Sequence, residues 1–148
     1  LRSEMAHAME EGCGIYRTAE TMLATCNKLV ELKERYKNLS IEDTSKAWNT
    51  EWLSAVELGY SLEVAQAIAH SALHRKESRG SHQRLDGFSQ RDDDNFLKHS
   101  LAHYVADDIP SISYRAVTIT RSLPGVRVYG GQNELAAGDA NNHTGAPA

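Results

Sequence analysis

Two cysteines and three prolines in 148 residues leave this chain few covalent or conformational staples. Cys13 and Cys26 stand in no Cys-x-x-Cys pair, which excludes zinc-ribbon and thioredoxin-type motifs. They read as the two reduced thiols of a cytosolic protein. Long apolar runs are also missing. No stretch approaches the roughly 20 residues that cross a bilayer, and no signal-peptide pattern opens the chain. Basic blocks are absent and the net charge is -4. That excludes nucleic acid as the main partner, since phosphate binding needs a basic patch. No Gly-x-Gly-x-x-Gly occurs, so the dinucleotide-binding fingerprint is missing too.

What remains is the composition of one ordinary domain, 41% hydrophobic and 24% charged. The first residues, Leu1 to Met9, read as a helix already in progress with no cap before it. The expectation is therefore a chain cut from something longer. This first helix covers residues 1–11 and is stopped by Gly12 and Gly14, because glycine reaches the conformations that end helices. Thr18 then caps a second helix over 19–38, with Glu20 in the first turn where the helix dipole favours negative charge. Met22, Cys26, Leu29, Leu32, Tyr36 and Leu39 recur every three or four positions and build one apolar stripe. Lys28, Glu31, Lys33, Glu34, Arg35 and Lys37 form its solvated face.

A polar connection leads to a third helix over 50–79, capped by Asn49 or Thr50. Leu53, Val56, Tyr60, Val64, Ala67 and Ala72 make one stripe, and Trp52, Ala55, Leu62, Ala65, Ala69 and Leu73 make another. Two stripes predict a helix buried on most sides. Gly59 costs about 1 kcal/mol against alanine in a helix, which marks a close contact or a bend there. Gly80 ends the helix. Asp92-Asp93-Asp94-Asn95-Phe96 makes a short helical turn. It is a poor calcium loop, because adjacent acids do not supply spaced ligands with a glycine and a distal glutamate. Alternation over 97–105 and 112–121 predicts a β-hairpin. The fold class expected is mainly α: a three-helix bundle with a small C-terminal β-hairpin over residues 1–131. A disordered tail follows over 132–148, where little can be buried.

The densest chemistry is Arg75-Lys76-Glu77-Ser78-Arg79-Gly80-Ser81-His82-Gln83-Arg84-Leu85-Asp86, with four cations, two anions and a histidine in twelve residues. Three functional readings compete with structural ones. His70 and His74 are spaced i, i+4 and, with His82, define a stand-alone zinc module; the motif lacks the glutamate of a helical metalloprotease. The structural alternative is a hydrogen-bonded His70 and a His74 favoured by the helix C-terminus. His82 with Asp86 or Glu77 offers general acid–base catalysis, though nothing in the pattern selects it. Arg75, Arg79 and Arg84 suit an anion. Against that stands internal pairing with Glu77, Asp86 and Asp92 to Asp94, which are close by and sufficient in number.

That same run, with Arg91-Asp92-Asp93 and Phe96-Leu97-Lys98-His99-Ser100-Leu101, resembles the C-terminal region of succinate dehydrogenase and fumarate reductase flavoprotein subunits. Asp43-Thr44-Ser45 and Asn49-Thr50 resemble it as well. Glu10-Glu11-Gly12-Cys13-Gly14-Ile15-Tyr16-Arg17, Phe96-Leu97-Lys98-His99 and Arg127-Val128-Tyr129-Gly130-Gly131 lean toward the bacterial fumarate reductase branch. L-aspartate oxidase shares Glu-Ser-Arg-Gly but matches worse, since Gln83 follows His82 and Gly87-Phe88 follows Asp86. His74 departs from the family, where small or apolar residues are usual. The resemblance implies a helical domain packed on the flavin-binding and capping domains of the same subunit. It also implies a covalent FAD bound by the upstream domain, which passes hydride to fumarate. Electrons then come from quinol through an iron–sulfur subunit, with membrane-anchor subunits involved indirectly. The implied location is the cytoplasmic side of the bacterial inner membrane. No catalytic, FAD-binding or metal-binding residue is carried over onto this chain, which alone is expected to be inactive. Arg79, His82, Arg84 and Asp86 are expected to anchor the corner and its interfaces.

Overall fold

Thr18 starts the best-defined helix. Its side chain accepts from the Thr21 N–H at 3.2 Å while the Thr21 hydroxyl accepts from the Thr18 N–H at 3.2 Å, a reciprocal capping box. The computed structural model describes residues 1–106, 108–122 and 125. They begin with α1 (Arg2–Cys13), β1 (Tyr16–Arg17), α2 (Ala19–Tyr36) and α3 (Thr50–His74). There follow β2 (Gln83–Arg84), the single turn α4 (Asp93–Phe96), β3 (Lys98–His103) and β4 (Ser111–Ala116). All lie in one unit, Leu1–Val117. A second unit runs over Thr118–Ala148, of which 118–122 and 125 are described, without helix or strand. The expected tail lies outside the described residues, as does the end of the expected domain.

α1, α2 and α3 pack on one another as the expected three-helix bundle. Met22, Cys26, Leu29 and Leu32 of α2 are fully or almost fully buried, facing Leu58, Leu62, Ala65, Ala69 and Ala72 of α3 and Cys13 of α1. The expected stripe on α2 is thus the core, except that Leu39 lies beyond the helix and is exposed. β3 and β4 form the expected antiparallel hairpin, with Lys98 opposite Ala116 and His103 opposite Ser111. Asp92 caps α4 through the Asn95 N–H at 3.0 Å. The acidic run is therefore a helix start, as its composition implied.

Three expectations change. Gly12 does not stop α1. The helix runs through it to Cys13, with Gly14 as its cap. A Cβ on Gly12 would collide with the Thr25 hydroxyl and lie 2.6 Å from the Thr21 carbonyl. This glycine exists to let α1 and α2 approach. Gly59 likewise marks a close contact, since its Cβ would sit 2.6 Å from the Tyr36 hydroxyl. Second, α3 ends at His74, five residues before the expected end, because Arg75 turns extended at φ -83°, ψ 102°. Gly80, at φ 60°, instead opens a tight turn closed by paired Arg79–His82 backbone hydrogen bonds of 2.9 and 3.1 Å. Third, α3 is not buried on most sides. Its flank of Leu53, Tyr60, Val64 and Ile68 is exposed, and so are Trp52 and Trp48. The bundle supplies neighbours for only one side of this helix.

Replacing Gly12 with alanine should destabilise the protein by about 1–3 kcal/mol, the range for overpacking a close contact. Urea unfolding of the Gly12→Ala variant checks this, and Thr25→Ala should relieve part of the loss.

Candidate functional site

Three helix ends meet at the corner formed by residues 75–86. Arg17, just past α1, donates to the Cys13 carbonyl at 2.8 Å and the Gly14 carbonyl at 2.5 Å. Those are the free carbonyls at the helix C-terminus, where a cation is favoured. Arg84 caps the end of α3 in the same way. It donates to the Arg75 carbonyl at 3.0 Å and the Leu73 carbonyl at 3.4 Å. Asp86 serves the opposite end of α2 and accepts from the Ala19 N–H at 2.7 Å. Arg84 and Asp86 join these ends through two parallel bonds of 2.7 and 2.6 Å. The Arg84 guanidinium also lies 5.0 Å from the Phe88 ring centre. Arg84 is only 2% exposed, and a buried guanidinium needs this many partners.

A second hub is Glu77, fully buried at 0% exposure. Its carboxylate accepts from Arg75, from Arg79 at 2.8 and 3.0 Å, and from the Asp92 N–H at 2.8 Å. Burial pushes this carboxyl upward, but Arg79, the Asp92 amide and Arg75 outweigh it and hold it below the usual range. Arg75 continues outward to the Phe96 carbonyl at 2.9 Å, the Lys98 carbonyl at 2.8 Å and the Ser100 hydroxyl at 3.0 Å. The hairpin is thereby tied to the end of α3. Arg79 reaches Asp93 at 2.5 Å. Ser78, also buried, accepts from the Arg84 N–H and donates to the Phe88 carbonyl, each at 2.8 Å. A two-residue parallel pairing of β1 with β2 completes the corner, Tyr16 beside Gln83 and Arg17 beside Arg84.

His82 sits within this network as a neutral ring. Its Nδ1 accepts from Arg17 at 2.9 Å, and its Nε2 donates to the Arg75 carbonyl at 3.1 Å. Those partners set the tautomer: a guanidinium only donates and a carbonyl only accepts. Burial lowers its pKa first, with Arg17, Arg84 and Arg75 adding to that against the carbonyl. Both ring nitrogens are engaged, and Asp86 and Glu77 pair with arginines instead. The structure therefore does not assemble the acid–base arrangement considered for His82. Nor does it assemble the zinc arrangement. His74 Nδ1 donates to the His70 carbonyl at 2.8 Å. Among the described residues no group of three His, Cys, Asp or Glu side chains is placed to hold a metal. His70 departs from the hydrogen-bonded reading, because its Nε2, like Gln66 Oε1, is buried with no partner among the described residues.

Arg79, His82, Arg84 and Asp86 are thus brought together, and the arginines take the internal acids as partners. Sequence reasoning missed Arg17 and Ser78. Arg17 had a readable signal, as a cation within a few residues of a helix end bounded by Gly14. Ser78 had none, because its role depends on chain folding back from residue 88. The described residues include no strand–turn–helix with a glycine fingerprint; β1 and β2 are two residues each.

Fold and corner together define a mainly helical domain braced at one end by buried ion pairs. Residues 2–129 match the family described as fumarate reductase flavoprotein C-term, and the chain belongs to that family. It is 57% identical over 143 residues to the fumarate reductase flavoprotein subunit of Proteus vulgaris, covering 96% of this chain and 24% of that one. The solved E. coli quinol fumarate reductase is similar at a TM-score of 0.83 and 57% identity, over 88% of this chain and 23% of that one. The succinate dehydrogenase flavoprotein subunit of Coxiella burnetii is 40% identical over 119 residues, 80% of this chain and 19% of that one. The chain spans under a quarter of the length of these relatives. Among the described residues, no helix is long and apolar enough to cross a membrane.

Arg84 holds the Asp86 carboxyl down to about 2 from an ordinary 3.8, against the effect of burial and helped by the Ala19 amide. A depressed carboxylate stabilises the fold above its unfolded pKa, and that contribution is lost as pH falls from about 4 to about 2. Allowing for partial exposure, Asp86 should contribute about 1–2 kcal/mol. Urea midpoints measured from pH 7 to pH 2.5 should fall less steeply in Asp86→Asn than in the parent.

Proposed function

We propose that this chain is the C-terminal helical domain of a fumarate reductase flavoprotein subunit. In that reading it supports the FAD-binding domain of the same polypeptide and the docking of an iron–sulfur subunit. The whole complex reduces fumarate to succinate with electrons from quinol, at the cytoplasmic face of a bacterial inner membrane. FAD belongs to the upstream domain, and this domain contributes structure rather than a reacting group. Residues 1–131 form the domain and 132–148 its tail. The observation that carries the reading is 57% identity to a fumarate reductase subunit across 96% of this chain. The succinate dehydrogenase relative stands at 40%, which favours the fumarate reductase branch.

Within this reading, Arg79, His82, Arg84 and Asp86 hold the corner in the shape that neighbouring domains require. They are positioning residues. Internal partners support this role: Arg79 pairs with Glu77 and Asp93, Arg84 pairs with Asp86, and both His82 ring nitrogens are bonded.

The test is the full-length reading frame expressed with its partner subunits. A dinucleotide-binding sequence upstream of Leu1, bound FAD and fumarate reduction by a reduced dye are the expected results. An upstream sequence without that fingerprint overturns the reading. Arg84→Ala should lower FAD content and complex yield, because it leaves the Asp86 carboxylate and the carbonyls at the end of α3 without their donor. The KM for fumarate of the assembled remainder should be unchanged. Full FAD content and normal assembly in Arg84→Ala would remove the bracing role.

A further inference from the structure

His82 is buried at the seam between β1 and β2. Across that seam the Gln83 N–H donates to the Ile15 carbonyl at 3.0 Å and the Leu85 N–H to the Arg17 carbonyl at 2.9 Å. Arg17 therefore meets the second strand twice, through its carbonyl at Leu85 and through its guanidinium at His82 Nδ1. The other ring nitrogen donates to the Arg75 carbonyl at the end of α3, and Arg84 of β2 donates to that same carbonyl. The charges acting on the ring are thus three guanidinium groups, from β1, β2 and the end of α3. Lys98 and His99 of β3 line the cleft that His82 also lines. The corner's carboxylates are committed elsewhere. Asp86 is held by Arg84 and the Ala19 amide, and Glu77 by Arg75, Arg79 and the Asp92 amide. Neither bonds to the ring.

We infer that His82 is an acid-sensitive latch on this seam: a proton on Nδ1 turns the acceptor of the Arg17 bond into a second donor and releases β1 from β2. An imidazolium only donates. At 2.9 Å from the Arg17 guanidinium, two donors repel. The added charge also enters a site faced by three cations, with no carboxylate bonded to the ring. The ring therefore takes up a proton as the seam opens. Burial first, and the three arginines with it, hold its pKa below the ordinary 6.5 against the pull of the Arg75 carbonyl. A histidine held low in the closed form favours closure fully above the open-state pKa, near 6.5, and that preference is lost as pH falls below it. Asp86, held near 2, and Glu77, held below the usual range, stay charged across that window. His70 is also held low, by burial and by His74, but its ring makes no hydrogen bond to β1 or β2 among the described residues.

Amide hydrogen exchange in the complete polypeptide, assembled with its partner subunits, tests this. Protection of a peptide covering residues 82–86 is compared at pH 7.5, 6.5 and 5.5, after correction for the intrinsic pH dependence of exchange. It should fall about 5- to 10-fold from pH 7.5 to pH 5.5, the range an ordinary histidine pKa in the open state allows. A peptide covering residues 22–32 of α2 should keep its protection. His82→Gln, whose neutral amide offers both an acceptor and a donor, should abolish the fall, whereas His99→Gln, at an exposed position, should leave it in place. Slow deuterium exchange at the His82 ring C2–H, read by mass spectrometry across the same pH range, should give a midpoint below 6.5 in the unsubstituted protein. Constant protection of residues 82–86 overturns the inference. An equal fall over residues 22–32 also overturns it, since the loosening is then general. So does a fall of the same size in His82→Gln, or a ring midpoint at or above 6.5. Should His82→Gln lack protection already at pH 7.5, the ring midpoint of the unsubstituted protein decides.

Discussion

The architecture depends on an arginine being inside the protein. Arg84 is among the largest fully buried side chains, and a guanidinium removed from water is tolerated only when its N–H groups find acceptors. The acceptors it finds are the last carbonyls of α3 and the Asp86 carboxylate. Asp86 in turn holds the first N–H of α2. One ion pair therefore links the negative end of one helix dipole to the positive end of another. To reach this position the chain must fold back beneath α3 directly after His74. That return brings Glu77 into the interior, and Glu77 then gathers Arg75, Arg79 and the backbone before α4. Corner, short turn and hairpin follow from one buried charge and the groups needed to satisfy it.

The two sides of the molecule contrast in how complete they are. At the corner the acids and arginines are matched, and the His82 ring is bonded at both nitrogens. Along α3, by contrast, Leu53, Tyr60, Val64 and Ile68 face outward. Scattered surface apolar residues are ordinary, but a continuous flank on a helix marks a contact surface. Dense charge in the sequence suggested reactivity at the corner. Its saturation makes the corner a brace and leaves the open flank as the surface with unmet contacts.

Local features were legible in the sequence where local physics decides them. Thr18 and Asp92 cap their helices because capping spans three residues. The Met22 to Leu32 stripe became core because its period is that of a helix, and the hairpin followed from alternation. Pairing of the arginines with Glu77 and Asp86 was legible as well, since those partners lie two residues apart. The end of α3 was not. Residues 75–79 hold no local stop signal, and Gly80 looked like one. Past His74 the chain instead buries Glu77 and Arg84, each with its own set of partners, and those partners include groups far from residues 75–79 in sequence, such as Asp92. Gly12 misled for a related reason, because its role is set by Thr25 on another helix. The i, i+4 spacing of His70 and His74 was correct as spacing, yet the rings turn to other partners.

By itself the sequence determined the helices, their caps, the apolar core stripe, the hairpin and the family, since each is written in spacing or in contiguous motifs. Tertiary structure alone decided which side of α3 is buried. It also decided where that helix stops, which tautomer His82 adopts, and that the charged corner is saturated rather than open. The physical reason is that burial and hydrogen-bond satisfaction depend on groups far apart in the chain, and their energies are settled only once those groups share one space.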